Sequence, residues 1–167
     1  MKPKACYEQV PTEVLLPFLE ELLNEGKSVN MTVTGNSMMP LLRDRMDSVV
    51  LKKPETVRKF DIVLYVQDRG KAILHRIVKC GPEGYMIVGD NQIALDGPIK
   101  PSQIKAVVPG FYRNGRYISC KTWWCRVYAF VWGYGRLFRR LLLPLVRFGG
   151  RIVKRMERLE TKDEVDS

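Results

Sequence analysis

Histidine is almost absent from these 167 residues: His75 is the only one, so any chemistry that needs an imidazole has a single candidate. Cysteine is sparse as well. Cys6, Cys80, Cys120 and Cys125 have neither the paired close spacing of a zinc site nor the density of a disulfide scaffold, which predicts free thiols and favours a reducing compartment. Acid falls short of base, 18 residues against 28, for a net charge of +10. The opening residues hold no uninterrupted apolar run, because Pro17, Glu20 and Glu21 break up Val14 to Leu23, so neither a signal peptide nor a leading membrane anchor is expected. Internal repeats and low-complexity segments are missing too.

The charge excess is concentrated near the end. From Arg126 to Arg158 there are nine basic residues against the single acid Glu157. A basic excess of this kind suits nucleic acid, an anionic membrane surface or acidic substrates, so its pattern has to discriminate. Trp124, Tyr128, Val131, Gly135, Phe138, Leu142 and Leu145 recur at helical spacing, with Arg136, Arg140, Arg147, Arg151 and Lys154 on the opposite side. That predicts a basic interfacial helix bent near Pro144, lying on an anionic surface or packed against the domain or a second copy. Spanning a bilayer is disfavoured. Arg136, Arg139 and Arg140 near mid-span would cost about 8 to 10 kcal/mol, against about 6 returned by a dozen apolar residues. The acidic stretch 161–167 is expected to be disordered.

At the other end, Thr12 to Leu23 has apolar residues at helical spacing, with Thr12 as N-cap and Gly26 as C-cap, which predicts a short amphipathic helix disturbed by Pro17. Short β-type runs follow: Ser48 to Leu51, Phe60 to Val66, Ala72 to Val78, Tyr85 to Val88 and Ala106 to Tyr112. They predict an antiparallel β domain. Arg113-Asn114-Gly115-Arg116 reads as a type I′ hairpin.

Three stretches carry chemistry. In Thr34-Gly35-Asn36-Ser37-Met38-Met39-Pro40 a serine lies between a turn-forming pair and a proline, after the alternation Val29 to Val33, so a strand ends and presents a hydroxyl on bent backbone whose amides can face a ligand. This is either an ordinary strand-ending turn or a nucleophile with its oxyanion site. In Lys71 to Lys79 the strand period sets His75 on one face with Ile73 and Ile77, and Arg76 on the other. There His75 is a satisfied core residue or a desolvated, neutral general base. Gly89-Asp90-Asn91 and Asp96-Gly97 are turn material, or supply a carboxylate that orients the histidine.

Taken together, Gly35 to Pro40, Phe60 to Tyr65, Leu74 to Val78, and Gly89-Asp90-Asn91 with Asp96 resemble, in order and approximate spacing, the boxes of the signal peptidase I superfamily, which includes the LexA-type self-cleaving repressors. The resemblance runs from Met31 to Ile118. It implies a mainly β, coiled antiparallel fold, and a histidine at the base position marks the endoplasmic-reticulum and archaeal type. By resemblance, Ser37 is the nucleophile, His75 the general base, and Asp90 and Asp96 match the two aspartates of that branch. The backbone amide of Ser37 is the expected oxyanion donor. Gly35 stands where many members carry a hydroxyl residue, and the hydrophobic spanning helix that usually precedes the serine box is not expected here.

The chain then divides into an N-terminal amphipathic helix (1–30), a β catalytic domain (31–121), a basic amphipathic helical segment (122–160) and an acidic tail (161–167). The implied activity is that of a serine endopeptidase that cleaves signal or leader peptides after small residues, with no metal or organic cofactor. The implied partners are an extended peptide or precursor protein and an anionic membrane surface, approached peripherally or monotopically, with the cytoplasmic face favoured by the positive charge. A catalytically silent peptide-binding homologue at the membrane surface is the alternative. Nucleic acid is disfavoured.

Overall fold

The computed structural model describes residues 12–68 and 70–134. The protein is mainly β, an eight-stranded antiparallel sheet flanked by two helices. In chain order the elements are α1 (Thr12–Asn24), β1 (Val29–Thr32), β2 (Asp47–Lys52), β3 (Ile62–Val66), β4 (Ala72–Gly81), β5 (Gly84–Val88), β6 (Asp96–Ile99), β7 (Ile104–Arg113), β8 (Arg116–Ser119) and α2 (Trp123–Tyr134). The strands are ordered β1-β2-β7-β3-β4-β5-β6, with β8 also on β7.

The long β7 is the spine. Its first residues pair with β3 and its last with β2 and β8, and Val107 lies opposite both Lys52 and Val63. Such sharing bends the sheet around two cores. One gathers Leu19 and Leu23 of α1 with Val49, Leu51, Ile62, Leu64 and Phe111, and the other holds Val63, Tyr65, Ile77, Ile87, Ile99 and Ile104. β3 divides its side chains between them, Ile62 and Leu64 to the first, Val63 and Tyr65 to the second. A strand buried on both faces has no polar side to alternate with, which is why Ile62-Val63-Leu64-Tyr65-Val66 reads as a continuous apolar run.

Local expectations hold at several joints. α1 ends in a Schellman arrangement: Gly26 has φ +79°, its N–H donates to the Leu23 carbonyl, and the Lys27 N–H donates to that of Leu22. The helix runs unbroken through Pro17, which disturbs it less than its sequence predicts. Asn114 and Gly115 both have positive φ, 50° and 77°, the signature of the type I′ turn between β7 and β8.

Other expectations are corrected. The apolar alternation at Val29 ends as a strand at Thr32, so Ser37 sits within the 33–46 loop and not at a strand end. β6 was not expected, because Asp96-Gly97-Pro98-Ile99 carries two residues that sequence reading assigns to turns; as an outer strand paired only with β5, it tolerates proline. The predicted stripe through Trp124, Tyr128 and Val131 does not form a single face of α2. Cys125 and Ala129 are buried, whereas Trp123, Val127, Phe130 and Val131 are exposed by 53 to 77 %. With apolar residues on almost every side of 123–134, periodicity could not say which face packs. Cys125 of α2 belongs to the first core. The expected stripe beyond Tyr134, its arginine face, the bend at Pro144 and the acidic tail lie outside the described residues.

Candidate active site

The loop carrying Ser37 is held from beneath and behind. Met38, Leu41 and Leu42 are buried in the first core, so the backbone next to the serine is anchored by apolar burial. Behind it, Val33 donates its N–H to the Asp47 carbonyl and Arg45 donates to the Val33 carbonyl, which closes the loop's neck. The fully buried carboxylate of Asp47 receives the Arg43 guanidinium at 2.8 Å, the Arg43 backbone N–H at 2.9 Å and the Arg113 guanidinium at 2.6 Å. Burial alone would raise this carboxyl, but those donors and the charge of Arg113 outweigh it and hold the pKa at about 2. Arg113 also reaches the Leu41 carbonyl. The turn is thus tied to β2 and β7.

Ser37 is half-buried, and its turn meets the β5–β6 loop. Asn91 donates its backbone N–H to the Ser37 carbonyl at 2.7 Å and its side-chain amide to the Asn36 carbonyl at 3.0 Å. Between them stands Gly89, where a Cβ would lie 2.6 Å from the Ser37 carbonyl oxygen and 2.9 Å from His75 Nε2. Only a glycine lets the serine turn, the loop and the imidazole approach this closely. Of the amides around the serine, that of Gly35 donates to Asp44 and that of Met39 to the Asn36 carbonyl, while that of Ser37 donates to no described protein group.

β4 presents His75 as its period predicts, on the face of Ile73 and Ile77, with Leu74 and Arg76 on the other. The ring is buried, and its Nδ1 lies 3.1 Å from Asp96 Oδ2. Asp96 opens β6, and the same Oδ2 accepts the Tyr65 hydroxyl at 2.6 Å, with that hydroxyl 3.4 Å from His75 Nδ1. A carboxylate on Nδ1 fixes the tautomer that carries its proton there and leaves Nε2 as the acceptor. Among the described residues, His75 Nε2 is the one buried side-chain nitrogen or oxygen with no hydrogen-bond partner. Burial lowers the imidazole pKa from 6.5, and the charge and hydrogen bond of Asp96 oppose this only in part. The resting ring is a neutral base.

The two aspartates have different settings. Asp96 meets the imidazole, whereas the carboxylate of Asp90 is turned to the other face of β4 and grips Arg76 through two bonds of 2.8 and 2.7 Å. It also receives the Tyr128 hydroxyl at 3.2 Å, and its carbonyl accepts the Trp132 indole N–H at 2.6 Å. Asp90 therefore does not contact the imidazole. It ties β4, the β5–β6 loop and α2 together, so of the two aspartates that the sequence places with His75 only Asp96 lies against its ring. The strand period already separated the faces of His75 and Arg76, but no sequence signal assigned each aspartate to its side.

Sequence reading missed three contributors: Tyr65 on Asp96, Gly89 as the close-approach residue and Asn91 as the clamp on the serine turn. Tyr65 had left a signal, since a phenol inside a fully buried strand must find a polar partner. Burial, then its bond to Asp96, pushes that phenol's pKa upward, so it remains a donor. No protein-family model matches this chain, and no curated protein matches it.

Proposed function

We propose that the protein is a serine endopeptidase of the signal peptidase type, with Ser37 as nucleophile, His75 as general base and Asp96 as the carboxylate that orients the base. The observation carrying this reading is the buried, unpartnered Nε2 of His75, whose ring is held at its other nitrogen by Asp96 and which faces the space between Gly89 and Ser37. An acceptor nitrogen buried without a partner costs about 1 to 3 kcal/mol. A core histidine has no reason to carry that cost, whereas a base that must accept the proton of a rotating serine hydroxyl does.

In this reading the Ser37 hydroxyl turns toward Nε2, which stands beside the serine turn at Gly89. The Oγ attacks a peptide carbonyl carbon as Nε2 takes the proton, and the charge formed on the carbonyl oxygen is met by the Ser37 N–H. The imidazolium, stabilised by Asp96, then gives the proton to the departing amine nitrogen as the C–N bond breaks, leaving an acyl-serine. Water, deprotonated by the same nitrogen, then attacks the acyl carbon, and as the ester bond to Oγ breaks the imidazolium returns the proton to Ser37 and the acid leaves.

β1 pairs with β2 alone, and an extended substrate adds along its open edge. The preference for small residues before the cut is carried over from the resemblance. The exposed apolar face of α2, near Arg126 and Lys121, supports association with an anionic membrane surface. Among the described residues no helix is long and apolar enough to cross a membrane.

The test is cleavage of a peptide library rich in Ala-X-Ala motifs, with vesicles present, by wild type and Ser37→Ala in parallel, with cut sites read by mass spectrometry. Cuts after small residues that disappear in Ser37→Ala are expected, with a thermal midpoint nearly unchanged. Identical cuts by both proteins would remove serine from the mechanism. Binding of the peptides without any cut would favour the silent binding homologue.

A further inference from the structure

Resting on that peptidase reading, we propose that Tyr128 and Trp132 of α2 are positioning residues for the serine site, acting through Asp90 on its two neighbours, Gly89 and Asn91. Three consecutive residues have divided tasks. Gly89 admits His75 Nε2 and the Ser37 carbonyl to the same small space, and Asn91 holds the serine turn through two hydrogen bonds. Asp90, between them, makes none of those contacts. All of its bonds described above run away from the site, to Arg76 and α2.

The grip on Asp90 is complete and comes largely from far along the chain. Its side chain is fully buried, with one oxygen on Arg76 Nε and the other on Arg76 Nη2 and the Tyr128 hydroxyl. Its carbonyl is held by the Trp132 indole. The two aromatic rings stack at 5.0 Å with 14° between planes, and the Arg76 guanidinium lies 5.6 Å from the Tyr128 ring centre. This fixes both the carboxylate and the peptide plane of Asp90, and with them the direction in which the Asn91 N–H leaves. Covering the first core needs only Cys125 and the ring of Tyr128, and neither the Tyr128 hydroxyl nor the Trp132 indole N–H is required for that. The two polar aromatic tips are aimed instead at one residue, and it is the residue flanked by the serine clamp. α2 is therefore part of the catalytic constellation without touching it.

The single histidine of these 167 residues makes the test direct, because ring ¹⁵N and ¹H signals of the labelled chain come from His75 alone. Trp132→Phe keeps a ring but removes the indole N–H, and Tyr128→Phe keeps the stack but removes the hydroxyl. Each is expected to shift or broaden the His75 ring signals at fixed pH. Each should also slow acylation of Ser37 by a fluorophosphonate about 10-fold, lowering kcat for peptide cleavage with KM changed less than twofold. Trp132→Phe combined with Asn91→Ala should cost less than the product of the two single losses, since both act on one loop. Unchanged ring signals and acylation rates in both variants, with only a lower thermal midpoint, would overturn the proposal and leave α2 a purely structural cover. If the wild type itself is neither acylated nor active, the peptidase reading fails, and the ring signals alone still decide whether α2 governs the geometry at His75.

Discussion

At the residue scale, burial and a carboxylate pull the His75 imidazole in opposite directions, and burial prevails. As the proposed base, His75 must be neutral to act, so kcat/KM should lose activity on the acid side with an inflection below 6.5, measurable from a pH profile on a peptide substrate. Tyr65 belongs to the same balance because its hydroxyl takes part of the charge of Asp96. Tyr65→Phe returns that charge to the imidazole, so the inflection should move upward in pH. Loss of one buried hydrogen bond should cost about 1 kcal/mol of stability and lower kcat/KM roughly 10-fold. An unmoved inflection in Tyr65→Phe would show that Asp96 does not transmit charge to the ring. Ser37, His75 and Asp96 were all legible as candidates from residue type and strand period. Asp90 was read by the same signals and proves to face the other way.

At the scale of elements, the serine loop depends on the ion-pair clamp of Asp47 with Arg43 and Arg113. Asp47→Asn leaves Arg43 and Arg113 without their shared counter-charge, and breaking a fully buried pair costs about 3 to 5 kcal/mol. Both guanidiniums are about 30 % exposed, so solvent reduces this to roughly 2 kcal/mol, to be read from denaturant midpoints at unchanged slope. α2 has two apolar faces with different fates, one closed on Cys125, Tyr128 and Ala129 and one exposed at Trp123, Val127 and Val131. Replacing Trp123 and Val127 together by serine should weaken binding to phosphatidylglycerol vesicles at least 10-fold in a sedimentation assay, with little effect on the melt. Unchanged sedimentation would remove this face from any membrane role. The strands with β-branched alternation and the hairpin with Asn114-Gly115 could be read in advance, because their signals are local. β6 could not, since only its pairing with β5 gives Asp96-Gly97-Pro98-Ile99 an extended form.

At the scale of the whole molecule, stability should decline with acid in two stages. His75 is held below its ordinary 6.5 in the fold, so above that pH both folded and unfolded chains are neutral there and its full contribution is present. As pH falls below 6.5 the unfolded chain gains the proton first, and stability drops toward the folded value. Asp47, held at about 2 against an ordinary 3.8, adds a second loss as pH falls from 3.8 toward 2. Thermal midpoints measured from pH 8 to pH 2 should show both, and His75→Gln should remove the first while leaving the second.

The sequence by itself determined the fold class, the faces of β4 and the presence of a serine, a histidine and an aspartate in a plausible catalytic order. These are properties of period two, turn chemistry and residue type, which act over a few neighbours. Only the tertiary structure decided which aspartate meets the imidazole, why residue 89 is glycine, and that α2 seats two aromatic residues on Asp90. Those facts come from residues well separated along the chain meeting in space, 21 apart for His75 and Asp96, 38 for Tyr128 and Asp90 and 55 for Asn91 and Asn36. A local pattern carries no information about such meetings, because they are fixed by how the sheet bends around β7.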